Sequence, residues 1–224
     1  MKILALDTAT EACSAALYLD GDIHEQFQLA PREHTRLILG MCDNLLADAC
    51  INLTQLDGIA FGRGPGSFTG VRIATAAAQG LAFGAELPLL PVSTLASMAQ
   101  ICFEVHGASQ VISAIDARMG GVYWGCYAMA DGRMQLLGEE QVSAPDAVQL
   151  TNTQAWYGAG SGWGAYRDEL ESRLPVSGID ASLFPRAASI AELASHDLAA
   201  GGGLDPEDAQ PVYLRNKVAE KTTS

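Results

Sequence analysis

Residues 58–84 read GIAFGRGPGSFTGVRIATAAAQGLAFG. The first four, Gly58 to Phe61, form an apolar run bounded by turn residues, the pattern of a buried strand. Gly62, Gly64 and Gly66 then alternate with Arg63 and Pro65, which breaks any regular element. Ser67 or Thr69 is placed to cap a helix over 68–83, with Gly84 placed to end it. That helix carries Ala74, Ala76, Ala77, Ala78, Gly80 and Ala82, so small side chains occupy several of its faces. Such a helix suits close packing against other helices, within the fold or between chains. A glycine-rich turn before a helix can cradle a phosphate. The spacing here matches neither the P-loop nor the dinucleotide fingerprint. The plainer reading, a sharp turn between strand and helix, is preferred.

Before this stretch, strands are expected over 3–6, 14–19 and 23–29, with Asp20-Gly21 as a hairpin turn. A helix over 31–49 places Leu37, Ile38, Met41, Leu45 and Ala49 at helical spacing. After it come a strand over 89–92 and a helix from Thr94 to about Cys102, capped by Ser93. His106-Gly107 looks like a joint. Beyond it the order starts again. Ile112-Ser-Ala-Ile-Asp116 echoes Ile3-Leu-Ala-Leu-Asp7, Asp131-Gly132 repeats the hairpin turn, and Gly158-Ala-Gly-Ser-Gly162 repeats the alternating glycines. A helix over 164–173 and a last one over 188–200 follow. Four echoes in one order indicate an internal duplication. One half covers 1–106. The other covers 107–224 and is reduced, with only a short 143–150 segment where the first has a long helix; residues 205–224 are expected to pack back on the first half.

The chain has 224 residues, 49% hydrophobic and 17% charged, with a formal net charge of −13. The material suffices for one large domain or two small ones. The acidity opposes tight binding to nucleic acid by this chain alone, because phosphates repel it. The odd cysteine count (Cys13, Cys42, Cys50, Cys102 and Cys126) and the lack of a Cys-x-x-Cys pair fit buried thiols in a reducing compartment. The N-terminal apolar run is short and interrupted by Asp7, unlike a signal peptide, and no stretch reads as a membrane span. A cytoplasmic location is expected.

Leu4-Ala-Leu-Asp-Thr-Ala-Thr10 and Gly64-Pro-Gly-Ser-Phe-Thr-Gly-Val-Arg-Ile73 resemble the bacterial TsaB (YeaZ) family. So do Asp116-Ala-Arg118, Phe184-Pro-Arg-Ala187 and Pro211-Val-Tyr-Leu-Arg215. The resemblance implies an α/β fold of the actin-like ATPase superfamily, with two duplicated βββαβα-type halves. It implies a non-catalytic role in threonylcarbamoyladenosine synthesis on tRNAs that read codons beginning with A. The implied partners are a TsaD-like subunit, which transfers the threonylcarbamoyl group to the adenosine beside the anticodon, and a TsaE-like ATPase. Homodimerisation when alone and contact with tRNA only through the complex are also expected.

Catalytic relatives carry a His-x-x-x-His metal pair, and Thr94 and Met98 stand at its positions here. His24, His34, His106 and His196 offer no ligand spacing, so no metal and no cofactor is expected. Asp7 and Asp116 read either as an acid pair facing across a cleft or as strand-ending residues that accept local backbone hydrogen bonds; the second is preferred. Vestigial nucleotide-site loops would comprise Asp7, Thr8, Thr10, Gly64, Gly66, Asp116, Gly158 and Gly160. No catalytic residue is assigned. The surface expected to bind the partner or a second copy comprises Leu37, Ile38, Met41 and Leu45 on one helix and Arg72, Ala76, Ala77 and Gly80 on the other. The competing reading is an actin-like ATPase or kinase, or an M22-like peptidase, acting alone.

Overall fold

The computed structural model describes residues 1–150 and 155–215. The first sheet is built from β1 (Lys2–Asp7), β2 (Ala12–Leu19), β3 (Asp22–Leu29), β4 (Gly58–Gly62) and β5 (Leu89–Val92), in the order β3-β2-β1-β4-β5. The second is built from β6 (Gln110–Asp116), β7 (Val122–Ala130), β8 (Arg133–Ser143), β9 (Trp156–Ala159) and β10 (Val176–Asp180). Read from its β8 edge, its order is β8-β7-β6-β9-β10, the same arrangement with the same directions. In each sheet three antiparallel strands are followed by two parallel ones. The duplication is therefore present in the backbone, and the fold is that of the actin-like ATPase superfamily. Both Asp-Gly hairpin turns sit at positive φ, 50° and 109° at Asp20-Gly21 and 51° and 78° at Asp131-Gly132. That backbone matches the twist of the flanking strands.

Among the described residues six helices cover the sheets: α1 (His34–Asp48), α2 (Phe68–Ala85), α3 (Thr94–His106), α4 (Ser161–Ala165), α5 (Arg167–Glu171) and α6 (Ala187–Ala199). Alternation along β1 sends Leu4 and Leu6 to one face, against α1 and α2, and Ile3 and Ala5 to the other, against α6. On the second sheet, Ile112 and Ala114 face α4 and α5, while Val111 and Ile115 face α3. The two middle helices are thus crossed: α3, from the first half, covers the second sheet, and α6, from the second half, covers the first. Their contact includes polar groups: the Ser97 and Ser189 hydroxyls lie 2.7 Å apart, Arg186 N donates to Ser97 Oγ at 3.0 Å, and Gln100 Nε2 donates to Glu192 at 3.3 Å. An ion pair joins the halves beside it, Arg63 with Glu140 at 3.3 Å, and Arg133 on β8 pairs with Asp197 on α6 at 2.6 Å. Arg186 Nε also donates to Glu25 at 2.8 Å while its guanidinium lies over the Phe27 ring. No helix among the described residues is long and apolar enough to cross a membrane.

Several boundaries differ from the sequence reading. The helix expected from Pro31 begins at His34, because Arg32 adopts a left-handed φ of 70°. Gly84 does not end α2. The helix runs to Ala85 and stops at Glu86, φ 54°, where Leu87 N donates back to Ala82 O at 3.0 Å and Leu87 turns into the core. The helix after Ser93 continues past Cys102 to His106 and is capped by Gly107, φ 68°. The helix expected over 164–173 is two short ones, interrupted at Tyr166. A 3₁₀ turn, Pro145–Ala147, occupies the 143–150 segment. Strand β10 has no counterpart in the sequence reading.

Candidate functional site

Two places concentrate the residues singled out by sequence: a cleft where the two sheets' first turns meet, and the outer face of α1 and α2.

At the cleft, the β1–β2 turn is pressed against the start of α2. Thr8 Oγ1 donates to Gly70 O at 2.7 Å, and Ser67 N donates to Ala9 O at 2.7 Å. Ser67 caps α2 by accepting from Gly70 N at 3.0 Å. A Cβ at Gly66 would run into the Ala9 carbonyl, and one at Gly70 into the Thr8 carbonyl. These glycines therefore serve a close backbone approach, and the chain's own carbonyls stand against the turn that a phosphate would need. Gly64, at φ 97°, accepts through its carbonyl from Thr94 N at 3.1 Å.

The two aspartates end their strands as the preferred reading has it. Asp7 Oδ1 accepts from Ala9 N at 3.1 Å, and Asp116 Oδ1 accepts from Arg118 N at 2.9 Å. Their surroundings differ. Asp7 is fully buried and its Oδ2 has no hydrogen-bond partner among the described residues. Burial pushes its carboxyl up to about 7, opposed only by the Ala9 hydrogen bond. Asp116 also accepts from the Tyr166 hydroxyl at 3.0 Å and lines the open cleft. The acid pair facing across a cleft is thereby corrected: Asp116 lines it and Asp7 lies behind its wall. Thr10 and Gly66 join Asp116 in the lining, whereas Thr8 and Gly64 sit behind it. Gly158 and Gly160 do not reach it. A Cβ at Gly158 would lie 2.6 Å from the Trp163 ring, and one at Gly160 2.8 Å from Met98 Sδ. The cleft encloses about 510 Å³ between aromatic walls that include Phe68, Tyr123, Phe184 and Tyr213. Arg118 spans its mouth to Glu11 at 3.2 Å.

Thr94 and Met98, at the positions of the absent histidine pair, are 0% and 1% exposed. The Thr94 hydroxyl donates to Pro65 O, and Met98 packs with Leu95 and Val111. Among the described residues no group of three His, Cys, Asp or Glu side chains converges as a metal site. Burial pushes the thiols of Cys13 and Cys126 up to about 11 and those of Cys42 and Cys102 up to about 12. Such thiols stay protonated and act as packing groups.

The helical face differs from its sequence reading on α1. Ile38, Met41 and Leu45 are 1%, 8% and 5% exposed and belong to the core under the first sheet. Met41 Sδ lies 3.9 Å from Cys13 Sγ. Placing Ile38, Met41 and Leu45 on an outer face is corrected: the broad apolar arc of α1 is one wide buried stripe. Leu37 is half-buried against the same core, and the exposed apolar side chain is Leu39. On α2, Arg72, Ala76 and Gly80 are exposed and Ala77 half-buried. With Gly84 the first three form a line at four-residue spacing, the furrow that helix packing uses. Nothing lies within 4 Å of a Cβ placed at Gly40, Gly80 or Gly84. Phe83, 78% exposed, stands beside the furrow. Between the helices runs a groove of about 520 Å³ whose lining includes Ile38, Leu39, Phe68, Arg72, Ile73 and Ala76.

Residues 204–215 edge this face as a strap. Gln79 Nε2 donates to the carbonyls of Pro206 and Ala209 at 2.9 and 3.0 Å, Val212 N donates to Arg63 O at 2.8 Å, and Arg72 Nε donates to the Tyr213 hydroxyl at 2.7 Å. The sequence reading missed Leu39, Gly40, Phe83, Gly84 and Tyr213. The four-residue spacing of Arg72, Ala76, Gly80 and Gly84 is a signal for the furrow; nothing local points to Tyr213.

Residues 20–210 match the family model described as TsaD, tRNA N6-adenosine threonylcarbamoyltransferase. The tRNA threonylcarbamoyladenosine biosynthesis protein TsaB of Escherichia coli K12 is 46% identical, the alignment covering 99% of this chain and 97% of that protein. The TsaB protein of Haemophilus influenzae is 44% identical over 99% and 96% of the two chains. A solved structure of YeaZ from Pseudomonas aeruginosa is 47% identical with a TM-score of 0.90, covering 95% of this chain and 99% of its own. A second Pseudomonas aeruginosa structure, at 46% identity and TM-score 0.90 over 96% and 99%, is described as similar to the peptidase YEAZ.

Proposed function

This chain belongs to the TsaB family of tRNA threonylcarbamoyladenosine biosynthesis proteins, and on that premise we propose that it is a non-catalytic docking subunit that binds a TsaD-type threonylcarbamoyltransferase through the outer face of α1 and α2. The observation that carries this reading is the set of three glycines, Gly40, Gly80 and Gly84, inside two long helices with no internal neighbour that needs them. A glycine inside a helix costs about 1 kcal/mol relative to alanine. Here it leaves room for another backbone to approach from outside, beside exposed Leu39 and Phe83.

Further observations support the absence of catalysis. The residues at the histidine-pair positions are core residues, the four buried cysteines are held as thiols, and the glycine turns are occupied by the chain's own backbone and side chains. With a net charge of −13, contact with tRNA is assigned to the complex rather than to this chain. The same helical face pairs two copies when the transferase is absent, and a TsaE-like ATPase joins the assembled complex.

The test is reconstitution of tRNA modification with each protein omitted in turn, alongside co-purification of wild type and Gly80→Leu with the transferase. The expected result is modification only when both proteins are present, and loss of both co-purification and modification with folded Gly80→Leu. Modification without this chain, or peptide or ATP turnover by it alone at an enzymatic rate, contradicts the proposal.

A further inference from the structure

Arg72 stands out in the groove between α1 and α2. The chain carries 26 acidic and 13 basic residues, yet the groove's lining contains this one arginine and no carboxylate. Arg72 makes no ion pair among the described residues. Its guanidinium lies 3.6 Å from the Phe68 ring centroid and 5.5 Å from that of Tyr213, and its Nε donates to the Tyr213 hydroxyl at 2.7 Å. Two aromatic faces and one hydroxyl thus orient the group without neutralising it. One nitrogen is spoken for and the planar fork on the other two is not, the geometry that takes a carboxylate bidentately. Tyr213 is itself placed by the strap, which Gln79 and Arg63 pin to the body.

Resting on the docking function proposed above, we infer that Arg72 is the receptor for a carboxylate carried by the partner's docking helix, and that the strap, through Tyr213, is its positioning element. Charge complementarity selects this occupant. An acidic chain repels most acidic surfaces, and a preset guanidinium in an apolar groove reverses that at one point, fixing the partner's register along the furrow that starts at Arg72 and runs through Ala76 and Gly80 to Gly84. Covered by the partner, the pair is desolvated, and removing its cation leaves a buried carboxylate alone. Phe68 and Tyr213 also wall the cleft, so the Phe68 ring borders both cavities.

The experiment measures the affinity of the full chain for the purified transferase as a function of salt, for wild type, Arg72→Gln, Tyr213→Phe and Gly80→Leu, with circular dichroism confirming that each is folded. Arg72→Gln is expected to weaken binding at least about tenfold and to flatten its salt dependence. Tyr213→Phe keeps the cation and loses its orientation, giving a smaller loss of about threefold with the salt dependence kept. If Gly80→Leu abolishes binding while Arg72→Gln changes neither affinity nor salt dependence, the carboxylate receptor is overturned and the docking face stands. If Gly80→Leu also binds as wild type does, both are overturned. If Arg72→Gln disrupts only self-association of the chain, the carboxylate belongs to a second copy and this inference is overturned.

Discussion

The two sheets share one strand order, one pair of Asp-Gly hairpins and one pair of glycine turns, but their outer faces are finished differently. Over the first sheet lie two long helices, α1 and α2, whose inward stripes fill the core and whose outward sides leave an apolar groove and a glycine furrow. Over the second lie two five-residue helices, and Trp163 fills the space above Gly158. The equivalent glycine turns also differ in their occupants: backbone carbonyls of residues 8–9 in the first, and in the second the Ala114 carbonyl joined by the Trp163 and Met98 side chains. The lesson is a division of labour after duplication. One half kept a helical surface larger than its own core needs, and the other became a closed support.

The comparison is most open to attack within α2 itself, where glycines ten residues apart serve opposite ends. Gly70→Val forces a side chain into the Thr8 carbonyl and is expected to prevent folding, a loss of more than about 5 kcal/mol. Urea denaturation checks it, and a stable Gly70→Val would remove the close-approach account of the first turn.

Asp7 gives the next largest effect. Its folded carboxyl lies near 7 against 3.8 in the unfolded chain. Below pH 3.8 both states hold the proton and nothing is lost. Between pH 4 and 7 the folded state keeps a proton that the unfolded state has released, so this group's contribution falls as pH rises and levels off above 7. The span is about 4 kcal/mol. Asp7→Asn removes the dependence, so its stability relative to wild type should rise by that order between pH 4 and 8. A pH-independent difference would place Asp7 in contact with solvent or a cation.

The joint between the halves sharpens the contrast further. Arg186→Gln leaves the Glu25 carboxylate, 10% exposed, without its cation and is expected to cost about 2 kcal/mol after allowance for screening of the half-exposed guanidinium. Arg118→Gln, at the cleft mouth, removes a guanidinium 74% exposed from Glu11 and from Asp116, which keeps its hydrogen bonds from Arg118 N and the Tyr166 hydroxyl, and is expected to stay within about 0.5 kcal/mol. Equal costs would show that the cleft mouth holds the halves together as firmly as the α3–α6 side does. A small effect of opposite sign is expected for Gly80→Ala, which adds a methyl in open space and should stabilise the isolated chain by about 0.5–1 kcal/mol while weakening partner binding.

What the sequence made legible was local. Asp-Gly turns, apolar strand runs and the repeated glycines each act within a few residues and appear where expected, and of the two expected caps, Ser67 and Thr69, it is Ser67 that caps α2. Strand β10, Val-Ser-Gly-Ile-Asp, carries too few apolar residues to stand out, and as an edge strand it needs few. The crossed placement of α3 and α6 was not legible at all, because periodicity says which side of a helix is buried and not which sheet buries it. The same limit misplaced Ile38, Met41 and Leu45. Apolar residues on adjacent faces of α1 read as two surfaces, one of them outward, whereas one broad stripe covers the sheet. The strap contact of Tyr213 with Arg72 spans 141 positions and leaves no local trace.

The central claim is that docking belongs to the outer face of the first half. Hydrogen–deuterium exchange of the chain, with and without saturating transferase, tests it on both halves in one experiment. The account predicts added protection over α1, α2 and the strap at 204–215, with α4, α5 and β10 unchanged. Protection confined to α4, α5 and β10, with α1 and α2 exchanging as in the free chain, would contradict it.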